Sequence, residues 1–183
     1  HNDYHDADHA RSGGPFQLPQ LWANLPRAHK MTAPHYQPLT AAKITVVALP
    51  DDAGSVRVIA GELGGQKGAA QTYTPVHLLD VKLAAGNSAE LTFPSHHNLA
   101  ALIMEGDLEI QGQTAHKHDF ALFERGGETV RFQATTAVHV LLLGGEPIDE
   151  PVVQYGPFVM NTEREIVEAF DDFRNGKFGR LED

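Results

Sequence analysis

The sequence predicts an all-β domain, a sandwich or barrel of short strands, followed by one carboxyl-terminal helix. Two observations predict the strands. Apolar residues alternate with polar ones over runs of about four to eight residues, and glycines and prolines fall between the runs. A third predicts the helix: a capping signature precedes the one stretch whose apolar residues recur at helical spacing.

Residues 1–15 (HNDYHDADHARSGGP) carry almost no apolar side chains, end in a Gly-Gly-Pro breaker and read as loop or disorder. Leu18 to Leu25, around Trp22, alternates like a strand, is closed by Pro26 and lacks a local partner. Residues 27–40 form a polar connection whose Pro34 and Pro38 suit no sheet interior. From Lys43 the strands follow closely. Ile44–Leu49 is apolar, and Pro50 to Gly54 is a turn. Val56, Val58 and Ala60 alternate with Arg57 and Ile59, as Leu79, Val81 and Leu83 do with Asp80 and Lys82. Gly86-Asn87 turns the chain, and Leu99–Glu105 is nearly continuous, as expected of a strand buried on both faces. Leu108 and Ile110 run to a turn at Gly112. Phe120–Phe123, Val130 with Phe132, and Val138–Leu143 complete the set, closed by Gly144-Gly145.

Residues 146–161 contain three prolines, each lacking a backbone donor, so an extended arm with at most edge pairing is expected. Thr162 then opens the helix, with Glu165 completing a capping box. Ile166, Phe170 and Phe173, with Val167, mark its apolar face. Asn175-Gly176 ends it, and Arg174, Lys177 and Arg180 suit the negative end of its dipole.

Composition excludes several function classes. The net charge is −10 with no basic stripe, which disfavours direct contact with nucleic acid or an anionic membrane. Cys is 0, so disulfides, zinc ribbons and thiol nucleophiles are out, and a cytoplasmic setting is expected. No run approaches the ~20 apolar residues of a membrane span. Gly61–Gly68 lacks the Gly-Lys-Ser/Thr ending of a phosphate loop, and no Gly-x-Ser-x-Gly elbow occurs. The chain opens on His1 instead of Met, which reads as processing or truncation.

Two segments carry a more specific signal. LWANLPRAHKMTAPHYQ (residues 21–37) resembles the junction after the first cupin of pirin-family proteins, and LLLGGEPIDEPVVQYGPFVMNTEREI (residues 141–166) resembles that family's carboxyl-terminal signature. MEGDLEIQG (residues 104–112) fits the hairpin in the middle of a cupin barrel. The resemblance implies a cupin, a jelly-roll double-stranded β-helix, over residues 41–145. Residues 1–40 are then the remnant of a first cupin and a linker, with Trp22 to Leu25 its final strand. Residues 146–183 are the arm and helix that pack on that first cupin.

The resemblance also implies the chemistry. Its members hold one metal, usually iron, in the amino-terminal cupin, through an H-P-H run and an H-x-E run just upstream of the junction. No H-P-H occurs in this chain, and the alignment puts H-x-E just before His1. This chain is therefore expected to hold no metal, and its catalytic residues are unknown. The whole protein is expected to be an iron-dependent quercetin 2,3-dioxygenase acting on a small aromatic flavonol. The alternative is a non-enzymatic protein-binding module, a co-regulator of transcription. Association with the missing half, or with another copy, follows from the apolar faces left uncovered. A stand-alone β-domain instead predicts that Trp22 and the helix stripe pack on residues 43–145.

With His numbering 11, chance clusters must be weighed. His1, His5 and His9 stand four apart among Asp3, Asp6 and Asp8; a helix would line them up for zinc or nickel, whereas a solvated terminus would not. His116 and His118 form an H-x-H pointing to one side of a strand, with Glu124 following, but they come after the hairpin turn that cupin ligands precede. His96 and His97 stand nearer the right place, and as neighbours only one can enter the barrel. Counted back from Gly106, the family's ligand positions fall on Thr92 and Pro94, neither able to replace imidazole. His139 is expected to be a hydrogen-bonded core residue. Glu105, Asp107 and Glu109 are expected as surface charges of the hairpin and not as an acid/base pair.

Overall fold

The computed structural model describes residues 7–179, which fall into two compact units. One comprises residues up to Met31 together with those from Asp149 onward; the other is Thr32–Ile148. The second holds twelve strands: β1 (Thr45–Ala48), β2 (Gly54–Ala60), β3 (Glu62–Leu63), β4 (Gln66–Lys67), β5 (Val76–Leu83), β6 (Ser88–Thr92), β7 (Asn98–Glu105), β8 (Leu108–Ile110), β9 (Gln113–Ala115), β10 (Phe120–Leu122), β11 (Thr129–Ala134) and β12 (Val138–Gly145). They make a six-stranded sheet in the order β1-β2-β5-β12-β7-β10 and a four-stranded sheet in the order β6-β11-β8-β9, with β3 and β4 a separate hairpin.

The period-two pattern does what it promises. Alternate residues of β2, β6 and β11 are buried. The inward side chains of both sheets form one cluster that includes Val56, Leu79, Val81, Ile103, Leu108, Phe132, Val140 and Leu142. β7 is buried on both faces along most of its length, as its continuous apolar run predicts. The result is a filled jelly-roll barrel. β6, in which only Ala89 and Leu91 alternate with polar residues, is a strand the sequence reading passes over.

The other unit departs from expectation more. Residues 7–12 are not loop but a short helix, α1 (Ala7–Ser12), closed by an Asp8–Arg11 ion pair and by the amide of Gly13 donating to the His9 carbonyl at 2.8 Å. Leu18–Leu25 is not a strand, because a strand needs a neighbour for its backbone groups and none pairs with it among the described residues. The arm forms its own hairpin instead of edge pairing, with β13 (Val153–Tyr155) antiparallel to β14 (Phe158–Met160).

The junction and the arm, the two segments that carry the resemblance, are bonded to each other within this unit. Lys30 Nζ donates to Asn24 Oδ1 at 2.7 Å and to the Val159 carbonyl at 3.1 Å. The Arg27 amide donates to Glu150 Oε2 at 2.7 Å, and Asn161 Nδ2 donates to the same oxygen at 3.0 Å. Asn161 is 3% exposed. Burial pulls the Lys30 ammonium below its ordinary range, against the opposing pull of Glu150 and Glu165. Residues far apart in sequence thus form one polar knot.

Helix α2 (Glu163–Arg174) begins as predicted. Thr162 Oγ1 accepts from the Glu165 amide at 3.2 Å, and the Glu165 carboxylate reaches back to the backbone of Thr162 and accepts from the amide of Asn161 at 3.0 Å. Burial raises the Glu165 carboxyl, but hydrogen bonds from Thr162 and Asn161 and the Arg27 charge hold it below the usual carboxylate range. The apolar face differs from the expected one. Ile166 and Ala169 are buried and Phe170 stacks edge-on to Phe158 at 4.9 Å, while Val167 and Phe173 are 61% and 64% exposed. Val167 sits about 100° round the helix from Ile166, and Phe173 meets the ring of Phe158 in the hairpin at 6.4 Å. Thr162→Ala should lower unfolding free energy by about 1 kcal/mol, read as a lower urea midpoint. An unchanged midpoint would mean that Glu165 alone holds the helix start.

Candidate functional site

The barrel interior offers no room for chemistry where the family resemblance would look for it. Phe93, 2% exposed, fills the position between Thr92 and Pro94, and Thr92 lies in the β6–β11 ladder opposite Thr129. A hydroxyl and a proline ring supply no imidazole or carboxylate, so these positions do not fit a transition metal. Among the described residues, no group of three or more histidine, aspartate or glutamate side chains is arranged to hold a metal ion.

One end of the barrel instead gathers three histidines and a glutamate. His77 enters on β5 opposite Gly144 of β12, and the Pro94–His97 turn delivers His96 and His97 just before β7. His77 Nε2 and His97 Nδ1 are 3.0 Å apart. As the alternation argument requires, only one of the adjacent pair turns inward: His97 is 6% exposed, whereas the His96 side chain is 64% exposed and lies 3.9 Å from Glu146 Oε1. His77 packs edge-on against Phe93 at 5.1 Å. Burial, then the neighbouring imidazole, pushes His77 below its ordinary value; burial and His96 do the same to His97, against Glu146. The sequence reading missed His77. Its signal was available, since it shares the inward register of Leu79, Val81 and Leu83.

The remaining singled-out residues are structural. His139 is hydrogen-bonded as expected, but it points outward, away from the core: its Nε2 lies 2.8 Å from Asp80 Oδ1, whose other oxygen accepts from Arg57 at 3.0 Å. It alternates with the fully buried Val140 and so must face out. His116 and His118 are not on a strand. They lie in the turn between β9 and β10, where the His116 amide donates to Asp119 Oδ2 at 2.8 Å and His118 adopts a φ of 74°. A turn breaks the shared side that an H-x-H needs; His116 Nδ1 meets Asp107 Oδ1 at 2.9 Å instead. Glu105 and Glu109 are exposed. His1 and His5 lie outside the described residues, and His9, on α1, packs its ring 5.3 Å from Phe16.

Residues 78–179 match the pirin C-terminal cupin domain. A Pseudomonas aeruginosa protein named as a candidate quercetin 2,3-dioxygenase is 41% identical over 180 residues, 98% of this chain and 63% of its own length. Pirin-1 of Arabidopsis thaliana is 39% identical over 166 residues, 87% of this chain and 57% of its own. Among solved structures, a quercetin 2,3-dioxygenase from Acinetobacter baumannii superimposes with a TM-score of 0.83 at 38% identity, covering 88% of this chain and 56% of that one. The chain therefore spans less than two thirds of each of these relatives. No helix among the described residues is long and apolar enough to cross a membrane.

Proposed function

The chain belongs to the pirin family, and on that premise we propose that it is the second-cupin portion of a bicupin dioxygenase that acts on quercetin-like flavonols. The observation that carries this reading is the similarity at 41% and 38% identity to two proteins bearing the quercetin 2,3-dioxygenase name. The metal, iron by the family resemblance, belongs in this proposal to the amino-terminal cupin, outside these residues. The donor set described above supports that location: the second barrel is filled with apolar side chains, and the ligand positions carry Thr92 and Pro94. In this reading the barrel, arm and helix brace the catalytic cupin, and the apolar side chains left exposed on α2 belong against it. A chain without cysteine fits a reducing cytoplasm.

Metal analysis and oxygen uptake test the proposal. The full-length protein is expected to carry a transition metal, to consume oxygen when given quercetin, and to stop when a chelator removes the metal. The present chain is expected to consume none. A full-length protein that binds no metal, or quercetin-dependent uptake by this chain by itself, would overturn the reading. A metal-loaded full-length protein inert to quercetin would favour the alternative, in which the metal tunes a surface for a protein partner.

A further inference from the structure

We propose that His77 and His97 form a proton-operated clasp across β12, closed when the pair is neutral and released by acid. The clasp is a matter of position first. β12 lies between β5 and β7, with Gly144 opposite His77 and Gly145 opposite Asn98, so a bond from His77 to His97 passes over the end of the middle strand. The crossing is possible because Gly144 has no side chain: a Cβ there would stand 2.5 Å from Leu99 Cδ2 and 3.5 Å from His77 Cδ2. Beyond it the chain leaves the barrel at Glu146, whose amide donates to the Pro75 carbonyl at 3.0 Å. The clasp thus holds the exit of β12 between its two neighbours.

Counting protons gives the switch. Two imidazoles present four nitrogens, and the contact between His77 Nε2 and His97 Nδ1 uses one proton and one lone pair. His77 Nδ1 is buried and has no hydrogen-bond partner among the described residues, and a Cβ at Gly61 would lie only 2.9 Å from it. In the neutral pair the second proton sits on His97 Nε2, leaving His77 Nδ1 bare, so that no buried donor is orphaned. A third proton has two places to go. On His77 Nδ1 it becomes a buried N–H without an acceptor; on the shared edge it sets two N–H groups against each other at 3.0 Å. Either route opposes the closed arrangement, and opening to water removes the conflict.

The surroundings reinforce this. From the turn before β7 the pair faces His96, from the end of β12 it faces Glu146, and on its remaining sides it meets Phe93 and Gly61, which carry no charge. Both histidines lie below their unperturbed value of 6.5 in the folded chain. A base held below its unfolded value stabilises the closed form fully above 6.5, and that stabilisation is lost as pH falls from there through the lowered values.

Hydrogen exchange read as protection factors, which removes the intrinsic pH dependence of the chemistry, tests the clasp. Between about pH 7.5 and about pH 5, protection at residues 76–77, 97–98 and 144–146 should fall as the pH drops below 6.5, where the open state takes up protons that the closed pair refuses, and should level off once the closed pair is protonated too. Val81 and Val140, further along the same strands, should keep theirs. His77→Gln keeps a donor near the Nε2 position and removes one of the two titrating imidazoles, so its protection should fall distinctly less steeply with pH than that of the native protein. A variant that loses protection as the native protein does, or a native barrel that opens uniformly, overturns the proposal. Ring-proton titration of the native protein by NMR supplies a readout independent of any variant. Titration of His77 and His97 in the ordinary range near 6.5 would also overturn it.

Discussion

Replacing Phe132 by alanine is expected to remove about 3–5 kcal/mol of unfolding free energy. Phe132 is the largest fully buried side chain, 1% exposed, at the centre of β11, opposite Ala89 of β6 on one side and Ile110 of β8 on the other. Its ring reaches from the four-stranded sheet into the cluster shared with the six-stranded sheet. Alanine would leave a cavity that flanking strands, fixed by their ladders, could close only in part. Against a typical total of about 5–15 kcal/mol, this is a large share of the stability. Urea denaturation of the chain measures it, and a loss below about 1 kcal/mol would mean that the barrel closes round the gap. The functional consequence separates bracing from catalysis. On the proposed dioxygenase reading, the variant of the full-length protein should lower quercetin turnover in proportion to the folded fraction and leave KM unchanged.

Gly106→Ala should come close to that effect, by a different route. Gly106 turns β7 into β8 at a φ of +80°, and a Cβ there would stand 2.2 Å from the Ala137 carbonyl oxygen. That oxygen cannot yield easily. Thr136 accepts from the Asp107 amide at 2.9 Å, and Val138 of β12, on the other side, is already paired with Leu83 of β5. The backbone conformation by itself costs about 1–2 kcal/mol for an alanine. The clash brings the expected loss to about 3–5 kcal/mol. Gly112→Ala is the matched control: its φ is +77°, but nothing lies within 4 Å of the Cβ, so only the conformational part of about 1–2 kcal/mol should appear. Equal losses in the two variants would show that the loop at Ala137 gives way.

The Asp80 arrangement shows how a pattern can be right about an interaction and wrong about its place. The apolar run Val138–Leu143 suggests that His139 is interior, yet β12 alternates within that run, and His139 meets Asp80 and Arg57 on the outward face. Conversely, His77 shares the inward register of three core residues, but its proximity to His97 depends on β12 lying between their strands. No spacing along the chain encodes that distance.

Local chemistry settled much of this protein in the sequence. Period-two alternation, turn residues and the Thr162–Glu165 cap act over a few neighbouring residues, so the barrel strands and α2 were readable from them. The junction and arm motifs were equally readable as a family resemblance. What tertiary structure alone decided were the features whose partners lie far off in the chain. Leu18–Leu25 has a strand's pattern and no strand to bond with among the described residues; the arm closes on itself; Lys30, Glu150 and Asn161 become one knot; and two histidines twenty positions apart meet over a glycine. Backbone groups and imidazole nitrogens take their state from whatever lies within about 3 Å, and the fold, not the order of residues, determines what that is.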